Sequence, residues 1–87
     1  MLFRSSPEGR RVAVAAGSRN GGLNIWIKQL ERGAFTRLTV GGGDRRPAWS
    51  PDGRLVAFVR DSAGGGMAMV TPADGSGPDR RIARLDR

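Results

Sequence analysis

Apolar residues fall along this chain in short clusters of about five, separated by glycine, proline and charged residues. In one of them, Leu55-Val56-Ala57-Phe58-Val59, every position is apolar. A run of that length between turn residues reads as a strand covered on both faces. The neighbouring positions complete a four-strand unit. Arg46–Trp49 predicts a short strand ahead of it, joined by Ser50-Pro51-Asp52-Gly53. Proline presets the first turn position, Asp suits the second, and Gly accepts the left-handed conformation that closes a hairpin. After a loop over Asp61–Gly66, Met67–Thr71 predicts a third strand. Asp74-Gly75 then turns the chain into Arg80–Leu85, a more polar fourth strand suited to an outer edge.

The first half follows the same plan, with strands expected over Val12–Ala16, Leu23–Gln29 and Phe35–Val40, hinged at Gly21-Gly22 and Glu31-Arg32-Gly33. Gly and Pro interrupt the windows a helix would need, except over Leu23–Arg32. There Ile25 and Ile27 alternate with other residues, and strand is preferred.

The two halves are an internal repeat. Ser6-Pro7-Glu8-Gly9-Arg10-Arg11-Val12-Ala13-Val14 matches Ser50-Pro51-Asp52-Gly53-Arg54-Leu55-Val56-Ala57-Phe58 at a shift of 44, with six identities in nine. Arg37-Leu38 falls on Arg81-Ile82 at the same shift, and Ile25–Ile27 lies one residue out of step with its counterpart because loop lengths differ. A fixed period of this size signals a repeat architecture. Four strands per unit, with inner strands apolar on both faces, describe a blade of a β-propeller, in which each sheet lies between neighbours. The expected fold class is therefore all-β: two consecutive four-stranded antiparallel β-propeller blades, the first incomplete, making an incomplete propeller. The units divide at 1–43 and 44–87.

Pro47-Ala48-Trp49-Ser50-Pro51-Asp52-Gly53-Arg54-Leu55-Val56-Ala57-Phe58 resembles the signature of the WD40-like (PD40) repeats of the TolB propeller family. Asn24–Ile27, Leu30–Gly33 and Thr36–Thr39 resemble that family's third and fourth strands and the turn between them. There are two departures. In the first unit Ser5 stands where the second has Trp49, Glu8 replaces the Asp, and five residues precede the turn, so its innermost strand is expected to be short or lost. The resemblance also implies a ring of about six blades, and two cannot close one.

At 87 residues, with neither Cys nor His, the chain has no disulfide or common zinc staple. Burial and ordering terms nearly cancel at this size even for a compact globule. A pair of blades with two open faces is worse placed, since repeat units need neighbours to cover them. The expected partners are thus the remaining blades of a parent propeller, or self-association.

Fifteen basic against eight acidic residues give a net charge of +7. The pairs Arg10-Arg11, Arg45-Arg46 and Arg80-Arg81 are scattered rather than clustered, and the aromatics do not interleave with them as a base-stacking platform requires. A nucleic-acid partner is not expected. Residues 1–7 contain no apolar core of a secretory signal, and no run is long enough for a membrane span.

Candidate chemistry thins out on inspection. Gly41-Gly42-Gly43 and Gly64-Gly65-Gly66 lack the Lys-Ser/Thr and helix of a phosphate loop. Asp74–Asp79 lacks the alternating acids of a calcium loop. Asp52 and Asp61 are each explained by turn or loop chemistry, and Ser18 is not in a nucleophile elbow. Trp26 and Trp49 read as packing between sheets rather than as a ligand-stacking pair. Arg19, Asn20, Arg45 and Arg46 are candidates for a propeller rim. No catalytic, cofactor-binding or metal residue is assigned, and no cofactor is expected.

The preferred function is a non-catalytic scaffold, part of a larger bacterial TolB-like propeller that binds a protein or peptide. The alternative is a piece of the propeller domain of a larger enzyme, a prolyl oligopeptidase-like peptidase or a serine/threonine kinase. The compartment is left open by the composition; the resemblance implies the periplasm if the parent is TolB-like.

Overall fold

A computed structural model describes residues 3–17, 22–62 and 64–85. Among the described residues there are eight strands: β1 (Phe3–Ser5), β2 (Arg11–Gly17), β3 (Leu23–Gln29), β4 (Phe35–Arg37), β5 (Asp44–Trp49), β6 (Leu55–Ser62), β7 (Gly65–Pro72) and β8 (Arg80–Leu85). They form two four-stranded antiparallel meanders, β1-β2-β3-β4 and β5-β6-β7-β8. These are the all-β, consecutive sheets expected from the repeat.

The Ser-Pro-x-Gly turns are the same structure twice. In each, the Gly N–H donates to the Ser carbonyl at 2.9 Å, Gly9 to Ser6 and Gly53 to Ser50. In each, the Ser Oγ accepts at 3.0 Å from the amide that opens the next strand, Arg11 or Leu55. Both glycines are left-handed, with φ of 76° at Gly9 and 74° at Gly53, a conformation that costs an L-residue about 1–2 kcal/mol. The second turn is further braced by Asp52, whose carboxylate accepts from Ser50 Oγ and from the Arg54 amide.

Strand boundaries differ from expectation where hydrogen bonding overrides composition. The first blade's innermost strand is short rather than lost, three residues paired with β2. β5 begins at Asp44, two residues before the expected start. Its register shifts between Arg45 and Ala48, with Arg46 at φ 57°. This bulge turns Pro47 inward, where it is fully buried. β6 and β7 extend to Ser62 and Gly65, so part of the expected loop over Asp61–Gly66 is ladder. β4 ends at Arg37 instead of Val40, because the Leu38 and Thr39 amides both turn to the Ile25 carbonyl while Thr39 Oγ1 accepts from the Ile25 amide.

The sheets pack face to face. The core joins Ala13, Ala15, Ile25 and Ile27 of the first sheet to Val56, Phe58 and Met69 of the second, with Trp49, Met67 and Leu38 at its margin. At a shift of 44, Ala13 corresponds to Ala57 and Val12 to Val56. The first sheet therefore turns its odd positions on β2 inward, whereas the second turns inward the positions equivalent to the even ones. Opposite faces of two like sheets meet, as in a stack that runs in one direction.

The two-faced burial expected for Leu55–Val59 is half realised. Val56 and Phe58 are 0% and 2% exposed. Leu55, Ala57 and Val59 on the other face stay partly exposed, because the first sheet covers one side of β6 and no other described element covers the second.

Candidate functional site

The two repeated turns lie side by side at one end of the sheet pair, and Arg11 joins them. Its backbone opens β2, which aims the side chain across to the second sheet. Nε donates to Glu8 Oε1 at 2.8 Å and Nη2 to the Gly53 carbonyl at 2.9 Å, while the guanidinium sits 4.5 Å from the centroid of the Trp49 ring. Trp49 in turn donates from Nε1 to the Arg4 carbonyl at 2.9 Å. A cation over an indole face is attracted by the ring quadrupole. This latch is tight enough that a Cβ at Gly53 would lie 3.0 Å from Arg11 Nη2 and 3.1 Å from Glu8 Oε2.

Beside the latch opens a cleft of about 440 Å³ between the β5–β6 and β7–β8 turns of the second sheet, lined by Arg11, Asp52, Arg54, Asp74 and Ser76 among others. A second, of about 340 Å³, lies between the sheets against Ile27, Gln29 and Arg37, and Asp74 borders both. Three carboxylates at this end titrate below their ordinary values. Glu8 is held down by hydrogen bonds from Ser6 and Arg11, Asp52 by Ser50 and the Arg54 amide, and Asp74 by the Ser76 hydroxyl and amide. A general acid at neutral pH needs the opposite shift. The surface is a fixed mixture of anions and guanidinium donors, suited to hydrogen bonding a polar chain.

At the other end, Arg60 lies on the inward face of β6. It donates from Nε and Nη2 to the two oxygens of fully buried Asp44, at 2.8 and 3.1 Å, and from Nη2 to Asp79 at 2.7 Å. These bonds, Asp44 foremost, hold the guanidinium still more firmly protonated against the opposing effect of burial. The triad ties the start of β5, the middle of the sheet and the entry to β8 together.

The residues singled out from sequence scatter. Asp52 sits in the β5–β6 turn, whereas Asp61 lies near the far end of β6, paired with Arg45 at 2.6 Å. Six residues of strand between Leu55 and Asp61 span about 20 Å, beyond the reach of a catalytic carboxylate pair. Arg45 and Arg46 border a shallow cleft of about 720 Å³ with Gly65 and Leu85. Arg19, Asn20, Gly21 and Ser18 lie outside the described residues. In the Asp74–Asp79 loop one carboxylate caps Ser76 and the other binds Arg60. Gly42 donates to Asn24 Oδ1, tying the Gly41–Gly43 linker to the first sheet.

Trp49 packs between the sheets as expected, but Trp26 does not. It alternates with Ile25 and Ile27, so it must face away from them. It stacks on Phe35 on the outer surface, with ring centroids 4.8 Å apart and planes 13° from parallel. The latch and the Asp44 triad were missed by the sequence reading. A signal existed for the first: Arg11 is a charge where the second unit has Leu55, at the head of an apolar strand.

No family model matches the chain. Among curated proteins, it is 36% identical over 61 residues to the Tol-Pal system protein TolB of Rhizorhabdus wittichii, a match covering 70% of this chain and 14% of that protein. TolB of Zymomonas mobilis gives the same identity and covers 13% of its own length. The uncharacterized peptidase YuxL of Bacillus subtilis is 30% identical over 88 residues, covering 92% of this chain and 13% of the relative. The chain thus spans about one seventh of the relatives it matches. Among solved structures, a TolB assignment from Agrobacterium tumefaciens superposes with a TM-score of 0.83 at 29% identity, over 98% of this chain and 31% of that one. TolB of Acinetobacter baumannii superposes at 0.79 and 24% identity, over 97% and 22%, and shows the same fold.

Proposed function

Because the chain consists of two TolB-type β-propeller repeats, we propose that it works as a non-catalytic segment of a larger TolB-like propeller and contributes to a protein- or peptide-binding surface. Residues 1–43 and 44–87 are taken as one blade each. The observation that carries the reading is the turn-bearing end, where a polar cleft lies between the β5–β6 and β7–β8 turns beside Arg11 and its carboxylates are already committed as anions by neighbouring hydroxyls and amides. Such a surface offers acceptors and donors at fixed positions, which suits recognition of a polypeptide. No residue of this chain is given a catalytic, cofactor or metal role, and the parent's compartment is taken as the periplasm.

The test is titration of the chain with purified components of a Tol-Pal system, read by tryptophan fluorescence. Saturable binding to one of them, weakened about tenfold by Arg54→Ala or Asp74→Asn, supports the reading, each such loss being worth about 1.4 kcal/mol. Absence of binding to every component refutes it. Similarity to YuxL over 92% of the chain favours a second reading, a blade pair from the propeller of a peptidase. A longer polypeptide carrying this segment and hydrolysing proline-containing peptides would establish that alternative.

A further inference from the structure

Each sheet has one face in the core and one face open, and the repeat relates all four. The first sheet's inward residues Ala13, Ala15, Ile25 and Ile27 are equivalent to Ala57, Val59, Ala68 and Val70, by a shift of 44 on β2 and 43 on β3 that the strand registers preserve. Those four lie on the second sheet's other face, where Val70 is buried and Ala57, Val59 and Ala68 are partly exposed. Conversely, the inward residues Val56, Phe58 and Met69 are equivalent to Val12, Val14 and Trp26 on the first sheet's other face, where Val14 is buried and Val12 and Trp26 are partly exposed. The two uncovered surfaces thus carry, position for position, the two halves of an interface that already exists inside the chain.

We infer that a second copy of this chain docks head to tail, the Ala57–Val59–Ala68–Val70 face of one copy against the Val12–Val14–Trp26 face of the next. The inference rests on the repeat reading and is independent of what the turn-bearing cleft binds. Both faces have an apolar centre edged by cations: Trp26 and Phe35 form a stacked pair on one, with Phe35 50% exposed and with Lys28 and Arg37 opposite Val12 and Trp26, and small aliphatic residues form the other, with Arg45 and Arg80 opposite Val59 and Val70. Small against large is the complementarity of the internal contact, where Ala13 and Ala15 meet Phe58 and Met69. The contact is heterologous, so each copy added leaves one face of each kind free until a ring closes, and assembly continues past two chains. It is also weaker than the internal one. The equivalents of Arg11 and Trp49 are Leu55 and Ser5, so the latch is missing, and association between separate chains loses translational freedom. Assembly therefore depends on concentration.

The test is sedimentation of the full chain across a wide concentration range, with Trp26→Glu to spoil one face and Ala57→Glu the other. The expected result is that the unaltered chain grows beyond two copies as concentration rises and that each variant alone stays a single chain. An equimolar mixture of the two variants forms a two-chain species and nothing larger, because together they hold one intact face of each kind. That rescue also shows both variants to be folded, and Val12→Glu with Ala68→Glu repeats the test should either of the first pair misfold. Three results overturn the inference: an unaltered chain that is a single particle throughout, an Ala57→Glu variant that still pairs, or folded variants that fail to pair when mixed. The second of these would indicate a two-fold contact between like faces.

Discussion

Replacing Gly53 and Gly9 by alanine, one at a time, isolates the energy of the inter-sheet latch, because the repeat supplies its own control. Both glycines close the same turn with nearly the same left-handed φ, 74° and 76°. An alanine at either position costs about 1–2 kcal/mol for that conformation. Their surroundings differ. A Cβ at Gly9 meets nothing within 4 Å, whereas one at Gly53 falls 3.0 Å from Arg11 Nη2. To make room, the Arg11 guanidinium must shift by a few tenths of an ångström, which weakens its bond to the Gly53 carbonyl and its contact with Trp49. A hydrogen bond from a charged donor contributes about 1.5–3 kcal/mol, and a partly exposed cation–π contact about 0.5–1 kcal/mol. Gly9→Ala is therefore expected to destabilise by about 1–2 kcal/mol and Gly53→Ala by more, up to about 6 kcal/mol where both Arg11 contacts are lost entirely. The assay is urea unfolding followed by tryptophan fluorescence at one fixed protein concentration, which holds any association constant. In an Arg11→Ala background the excess at Gly53 should vanish, leaving equal effects at the two turns. Equal effects in the unaltered chain, or an excess that survives loss of Arg11, would refute the latch.

Other outcomes follow from the same geometry. Asp44→Asn leaves Arg60 half-buried against a neutral partner and should destabilise by about 2–3 kcal/mol, at the low end for a broken ion pair because Asp79 remains; urea midpoints check this. Glu8, Asp52 and Asp74 titrate lower folded than unfolded, so their contribution is complete at neutral pH and is lost as pH falls below the ordinary values of 4.5 for Glu and 3.8 for Asp, where the unfolded chain binds more protons; melting temperatures should drop through that window, and less steeply in Asp52→Asn. Trp49→Phe removes the bond to the Arg4 carbonyl and should cost about 1 kcal/mol in the same urea assay. Trp26 fluorescence in a Trp49→Phe chain should be readily quenched by acrylamide when dilute and become protected as concentration rises.

How much of this was legible in advance varies with the range of the interaction. The turns were, in place and in the left-handed Gly, because Pro, Asp and Gly act within a few residues of one another; the Ser Oγ bonds that brace them were not. Seven of the strands and their order were as well, because the repeat doubles every local signal, while β1 was expected to be short or lost. Strand ends were not. β4 stops at Arg37 because Thr39 bonds Ile25, fourteen residues away, and nothing near Thr39 announces it. The candidate surface was read least. Asp52, Arg54 and Asp74 come together where β6 pairs with β7, and only packing of one sheet on the other brings Arg11 beside them.

The linear order of residues was sufficient for a period, for hairpins and for the kinship of the two halves, all of which arise from contacts short in sequence. It was silent on which side of each sheet turns inward. Side chains alternate across a strand, and a one-sided apolar pattern would have marked the core face. Here Val12-Ala13-Val14-Ala15 and Leu55-Val56-Ala57-Phe58 are apolar on both sides, so the alternation carries no preference. Packing breaks the tie: one sheet presents Ala13 and Ile25, the other Val56 and Phe58, and the sides left over are the ones on which a further copy can sit.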